Sequence, residues 1–438
     1  MDLLKDNVGK LYRKFFIASF GSALIACIYG LVDMAMVGQY HGPDGSAAMA
    51  VIAPIWNIIY SFGLLCGIGG SVIYAVARGE RDDVKAANGY FTSAFILGTL
   101  WALILWVLVW VCEEPLLRLF GANDALMPLC KEYMVAPKLT VPVYVFINLL
   151  SSFLRNDGDP GRATKAVIFG GIFNVFGDYF FVFTLDMGIK GAGIATAMGA
   201  SMSVLVMLTH FISKKNTLKF VKPLRILNNF KMISVNGFSS FIVDVAMGIA
   251  TMLFNRRVME YLGTDALAVY GVIVVVGTLV QCCSYGIGQA AQPVISRNFG
   301  AGLTDRIKTM LKYNIITAAV FGAIWTVLSM AMPQVFIKLF MTPTPEVLSI
   351  APRIIRIYAI SFVLLPFNIY STYYFQAIMR AKISLIASVA RGIVISGALI
   401  LLLPVAFGGN AVWWAMPITE AVVFVYSAVM MKKVKLSR

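Results

Sequence analysis

Residues 51–79, VIAPIWNIIYSFGLLCGIGGSVIYAVARG, and residues 270–298, YGVIVVVGTLVQCCSYGIGQAAQPVISRN, decide the fold between them. Each run is free of charge up to its closing arginine, Arg78 or Arg297, and each exceeds the roughly 20 residues a helix needs to cross a bilayer. Gly67-Ile68-Gly69 of the first returns as Gly286-Ile287-Gly288 of the second, 219 residues later. Ala47-Ala48-Met49-Ala50-Val51 approximately faces Ala266-Leu267-Ala268-Val269-Tyr270 at the same spacing. Further out, Arg118-Leu119-Phe120 is echoed by Lys338-Leu339-Phe340, and Lys214-Lys215 by Lys432-Lys433. The chain reads as a duplicated membrane unit.

Composition agrees. Of 438 residues, 59% are hydrophobic and 13% charged, which excludes a soluble globular chain. Requiring about 20 mostly apolar residues between polar breaks predicts spans near 15–39, 48–77, 90–112, 133–154, 164–185, 191–213, 232–256, 266–296, 311–332, 354–377, 383–406 and 411–431, about twelve helices. Pro54, Pro142, Pro293 and Pro366 fall inside them and predict bends. The fold class is thus an all-α polytopic membrane protein with twelve transmembrane helices in two six-helix lobes.

The formal charge of +15 sits in the gaps between spans. By alternate sides, about 26 of the 36 Lys and Arg share a face with the basic N-terminal stretch Lys5 to Lys14. That face also holds Arg78, Arg81 and Lys85, the run Lys214 to Lys231, and Lys432 to Arg438. The bias predicts both termini in the cytoplasm and speaks against a nucleic-acid partner. No small-residue cleavage site follows the N-terminal stretch, so it reads as retained. Residues 1–213 form an N-lobe (first to sixth spans), 214–231 a cytoplasmic linker, and 232–438 a C-lobe (seventh to twelfth). Because six is even, the halves enter the membrane from the same side, their symmetry axis runs along the membrane normal, and a cleft between them is the expected route of transport.

Other chemistries find little support. His41 and His210 are far apart in sequence, and neither an HExxH nor a Walker sequence is present. The glycine runs read as close helix packing. Cys112 and Cys130, flanking a polar loop, are the one conceivable disulfide. No nucleophile–base pair stands out, so the chain is read as no enzyme, with no cofactor.

Ionisable groups within spans are costly in lipid and mark function or structural pairing. Asp33 lies in the first span with no basic residue after Lys14 to pair it, which suggests an ion or proton site, a satisfied structural carboxyl being the alternative. Asn174 and Asp178, four apart in the fifth span, share a helix face and offer oxygens to Na⁺ or a proton, or else act as interhelical glue; Thr196 in the sixth could add a hydroxyl. In the C-lobe, Asp244 and Glu420 are the buried acids and Arg391 the one base within a span; an Arg391–Glu420 pair is the structural reading. Gln281, Asn368 and Tyr370 would line a wet cavity or form a polar packing seam. Met34, Met36, Phe62, Phe153 and Phe173 would give a soft aromatic wall suited to a flat organic cation, or would face lipid.

Leu31-Val32-Asp33, the run Arg155-Asn156-Asp157-Gly158-Asp159-Pro160, and Asn174-Val175-Phe176-Gly177-Asp178, set in twelve spans, resemble the multidrug and toxic compound extrusion (MATE) family, in particular its bacterial DinF/MepA-like branch. The resemblance implies a monomeric antiporter of the bacterial inner (plasma) membrane. It would export small organic cations and amphipathic drugs in exchange for H⁺ or Na⁺, with Asp33, Asn174, Asp178 and Thr196 at the cation-binding positions and Na⁺ a possible ligand of the four. Asp244 matches the span in which NorM-type members carry a coupling acid. The tenth span has no acid between Arg353 and Gln376, unlike those members, which shifts the expected coupling to the N-lobe. A flippase of lipid-linked oligosaccharides from the same superfamily is the rival; it would need more basic residues in its cavity than Arg391 alone.

Overall fold

The computed structural model describes residues 2–81, 83–341 and 343–436, without the side chains of Pro43, Ser46 and Arg81. The expected cytoplasmic charges of Arg81 and Arg438 therefore lie outside the described residues. Every regular element among the described residues is helical, as a chain in hydrocarbon requires, since a helix satisfies its own backbone polar groups. The long helices are α1 (Val8–Gly42), α2 (Ala47–Glu80), α3 (Val84–Val111), α4 (Val135–Asn156), α5 (Pro160–Thr184) and α6 (Gly188–Ile212). The run Ile226–Gly300 turns at Gly263 into α7 (226–262) and α8 (264–300). Then follow α9 (Thr304–Ala331), α10 (Pro345–Ala377), α11 (Ala381–Phe407) and α12 (Gly409–Lys433), making twelve spans among the described residues. Short helices Glu113–Leu119, Met127–Tyr133 and Pro333–Phe340 were not expected. Two of them carry the Arg118 and Lys338 echoes.

The duplication reappears in the backbone. α1 runs into α2 at Gly42 (φ 63°, ψ −146°), and α7 into α8 at Gly263 (φ 80°, ψ −170°), a region open essentially to glycine alone. The repeated Gly-Ile-Gly motif has a packing cause. A Cβ on Gly67 would stand 2.7 Å from the Asn148 carbonyl oxygen of α4, and one on Gly69 2.2 Å from the Ile233 carbonyl oxygen of α7. In the second half, Gly286 abuts the α1 backbone at Phe20 and Gly288 abuts the Tyr373 ring of α10. Each motif thus fits one helix of its own lobe and one of the other.

The lobes meet on the face carrying the N-terminus and linker. There Leu11, Phe15 and Val72 join Ile287, Phe299 and Tyr374 in one apolar cluster, and α2 crosses α8 backbone to backbone at Gly79 and Gly300. Toward the other face each cluster stays within one lobe: Val37, Ile52 and Met134 in the first, Phe254, Ile354 and Trp413 in the second. The cleft is sealed at the linker face and parts toward the opposite one.

Residues 214–231 are less free than a connector reads in sequence. Asp157 accepts the Thr217 backbone N–H at 2.9 Å and faces His210 Nε2 at 2.8 Å; its other oxygen takes the Tyr74 hydroxyl at 3.1 Å and the Thr217 hydroxyl. Asn88 accepts from the Lys219 N–H at 3.1 Å, and Thr92 from the Val221 N–H at 3.0 Å. The Asp157-Gly158-Asp159 run is therefore a fastening for the linker on the N-lobe. All six cysteines are free thiols, Cys112 and Cys130 included.

Candidate functional site

α1, α5 and α6 bring Asp33, Asn174, Asp178 and Thr196 into one buried group. Asp33 is 7% exposed and its Oδ2 accepts the Tyr133 hydroxyl at 3.1 Å. Thr196 lies within hydrogen-bond reach of both, and Asn174 Nδ2 donates to Thr196 Oγ1 at 3.4 Å. Asp178, fully buried, lies near enough to feel the charge of Asp33. Among the described residues, four oxygens of this group have no partner: Asp33 Oδ1, Asn174 Oδ1, and both carboxylate oxygens of Asp178. Two carboxylates together without a base cannot both stay charged in a low dielectric unless a proton or cation joins them, and the idle oxygens fit either. Directly after Asp178 the helix widens into a π-helical stretch, Tyr179–Thr184, the kind of local irregularity that recurs at functional sites. Tyr133 escaped sequence reading; it closes a short helix that no periodicity announced.

In the C-lobe the candidates fall into two groups. Tyr285 donates to Asp244 Oδ1 at 2.6 Å and receives the Gln281 amide at 2.7 Å, leaving Asp244 Oδ2 without a partner among the described residues. Arg391, on the π-helical stretch Ala390–Val394 of α11, donates from Nε to Glu420 Oε1 at 2.8 Å. Asn368 completes the neutralisation by donating to Glu420 Oε2 at 2.6 Å. Both carboxylate oxygens of Glu420 are thereby engaged. Tyr370 is fully buried with its hydroxyl unpartnered. Gln376 ties α10 to α7 through the Asn236 carbonyl at 2.9 Å and Ser240.

A cavity of about 160 Å³ lies between the lobes. Drug-sized sites are larger, so this is the floor of the cleft. Its walls are polar and aromatic: Tyr29, Tyr60 and Tyr144, Asn148, Ser151 and Arg155, with Gln289 and Tyr285 from α8; Asn174 and Thr196 reach it, whereas Asp33 and Asp178 sit behind. None of the Met and Phe candidates lines this floor. Phe153 is fully buried against Phe91 and Tyr74, Phe62 packs on Trp101 and Phe241, Met34 and Phe173 point outward, and Met36 is half-buried. The reason is periodicity: a side chain one or two positions from a cavity-facing residue, as Phe173 is from Asn174, Phe62 from Tyr60 and Phe153 from Arg155, points to another sector of the helix. Tyrosine takes the place expected of Phe and Met.

Twelve helices in two duplicated lobes around a sealed-floor cleft, with unsatisfied acids behind its wall, define the class: a multi-pass membrane protein with the architecture of a transporter. The MatE family model matches twice, over residues 18–180 and 238–401. The chain belongs to the MatE family. A multidrug export protein MepA from Staphylococcus haemolyticus is 24% identical over 425 residues, covering 95% of this chain and 92% of its own, and MepA from Staphylococcus aureus is 22% identical over 426. A solved multidrug-resistance MATE transporter of the MOP superfamily, described as outward-facing, superposes with a TM-score of 0.89 at 22% identity, over 98% of this chain and 97% of that one. A Pyrococcus furiosus MOP-superfamily transporter, described as having a binding pocket of reverse polarity, superposes with a TM-score of 0.87 at 22% identity, over 99% and 98%.

Proposed function

We propose that this protein is a multidrug exporter of the bacterial inner membrane, with both termini cytoplasmic, that moves drug-like organic compounds outward against an inward flow of H⁺ or Na⁺. The observation that carries the reading is the set of four unpartnered oxygens on Asp33, Asn174 and Asp178, reached from the cleft through Asn174 and Thr196. Export by the MepA relatives supports the cargo class. The chain acts alone, as each copy supplies both lobes.

The mechanism follows from charge. With Asp33 and Asp178 ionised, the cleft holds uncompensated negative charge and favours a cationic cargo; protonation or Na⁺ binding removes that charge and favours release. Cargo and ion need only compete for one charged region. The test is ethidium efflux from proteoliposomes under an imposed Na⁺ gradient or an imposed pH gradient. Gradient-driven efflux in wild type, lost in Asp33→Asn and Asp178→Asn proteins that remain monodisperse, is the expected result. Full efflux in both variants would overturn the coupling site.

A further inference from the structure

Arg155 opens the charged run Arg155 to Pro160 that enters the loop between α4 and α5, where a sequence reading would leave it in the loop. It is 8% exposed and lines the floor of the cleft instead. Its guanidinium makes no hydrogen bond and no ion pair with any described residue; it lies within electrostatic range of Tyr60 and Tyr373, with Tyr60, Gln289, Ser151 and Asn148 on the same cavity wall. The acids closest in sequence are committed elsewhere: Asp157 to His210, Thr217 and Tyr74, and Asp159 to Arg162 at 2.9 Å and Lys215 at 3.2 Å. Asp244 acts on the same Tyr60 and Tyr373, but no carboxylate of the described residues touches the guanidinium; a buried cation without an ion-pair partner is costly, and a ligand anion is the group that would relieve it.

The opposite charge lies at the other end of the same wall. Tyr144, within electrostatic range of Asp33 and Asp178, stands eleven residues before Arg155 on α4, a rise of about 16 Å. We propose that Arg155 is an anion subsite at the floor of the cleft, which takes the carboxylate of any cargo that carries one. The proposal rests on the export reading and narrows its substrate class. A planar guanidinium matches a carboxylate in bidentate geometry. A lipid-linked pyrophosphate carries more charge than one guanidinium neutralises, so a flippase is the less favoured use of this residue.

Rhodamine B, a zwitterion near neutral pH, and its ethyl ester, a cation of nearly the same shape, form the matched probe pair. Both are measured for binding to the purified full-length protein by fluorescence anisotropy, and for efflux in proteoliposomes. Arg155→Gln is expected to weaken rhodamine B binding and slow its export about tenfold or more, while the ester stays within about twofold. Arg155→Lys, which keeps the charge and loses the fork, should keep part of the preference for rhodamine B. Equal losses for both dyes, or an unchanged preference in Arg155→Gln, overturn the subsite. If wild type exports neither dye but binds rhodamine B in an Arg155-dependent way, the export reading fails and the subsite stands. If the residual binding is indifferent to Arg155, or Arg155-dependent binding appears only with phosphate-bearing lipid, the carboxylate subsite fails.

Discussion

Gly300→Ala is the sharpest test of the sealed floor. A Cβ at that position would stand 2.0 Å from the Val76 carbonyl oxygen, where ordinary contact begins at 3.4 Å. The reciprocal position, Gly79, would place its Cβ 2.1 Å from the Arg297 carbonyl oxygen. Both obstacles are backbone, so no side chain can turn away, and the crossing must widen by about 1.4 Å or a helix must bend. Overpacking of this kind costs about 1–3 kcal/mol, and the roughly 0.5–1 kcal/mol that alanine gains over glycine in a helix offsets only part of it. A net penalty of about 1–2 kcal/mol changes the ratio of sealed to unsealed forms by about 5–30-fold. Spin labels at Lys85 and Lys308, exposed near the linker-side ends of α3 and α9, read that ratio as a distance distribution. Gly300→Ala should populate longer distances and lower the melting temperature. Gly271→Ala, at a helical position with nothing within 4 Å, should do neither. The double variant Gly79→Ala/Gly300→Ala should cost less than the two singles added, because one widening serves both methyls. A Gly300→Ala protein as stable as Gly271→Ala, with unmoved labels, would refute the reasoning.

Two further outcomes follow. Removing one partner of the buried Arg391–Glu420 pair, as in Arg391→Gln, should cost about 3–5 kcal/mol and show as misfolding in size-exclusion profiles, while Arg391→Met with Glu420→Leu recovers much of the loss; a stable Arg391→Gln would remove the pair from the structural framework. At Asp159, burial pushes the carboxyl up, but Arg162 and Lys215 outweigh it and hold it below the usual carboxylate range. A lowered folded value means stability that is present above the unfolded pKa, about 4, and lost as pH falls through the folded one. Asp159→Asn should therefore be less stable than wild type near pH 7 in thermal scans, and the difference should shrink as pH falls below about 4; a constant difference would show that the charge is not what Asp159 contributes.

The helices were legible because apolar length and duplication are properties of the chain itself. Asp33 drew attention as an unpaired acid in a span, and Asn174 and Asp178 as a pair on one helix face; joining them with Thr196 as a set was what the family resemblance implied, and the structure brings the four together. What the sequence hid depends on which sector of a helix faces the cleft. Arg155 looks like a loop charge because α4 continues to Asn156, beyond the apolar run. Tyr60 and Tyr144 carry no charge to betray them, and the Phe and Met residues drew attention by softness alone. Tyr133 reaches Asp33 across 100 positions of chain, a pairing that no local pattern encodes.

The fastened linker has a mechanical consequence. Eighteen residues of loose chain would let two lobes drift far apart. Here hydrogen bonds hold the chain to the N-lobe as far as Val221, and α7 begins at Ile226, so residues 222–225 alone remain as tether. At about 3.5 Å per extended residue, four residues reach about 14 Å. The stroke of the machine at this face is therefore bounded by a short leash, and an opening toward the linker side is a rocking of lobes that stay hitched at one corner.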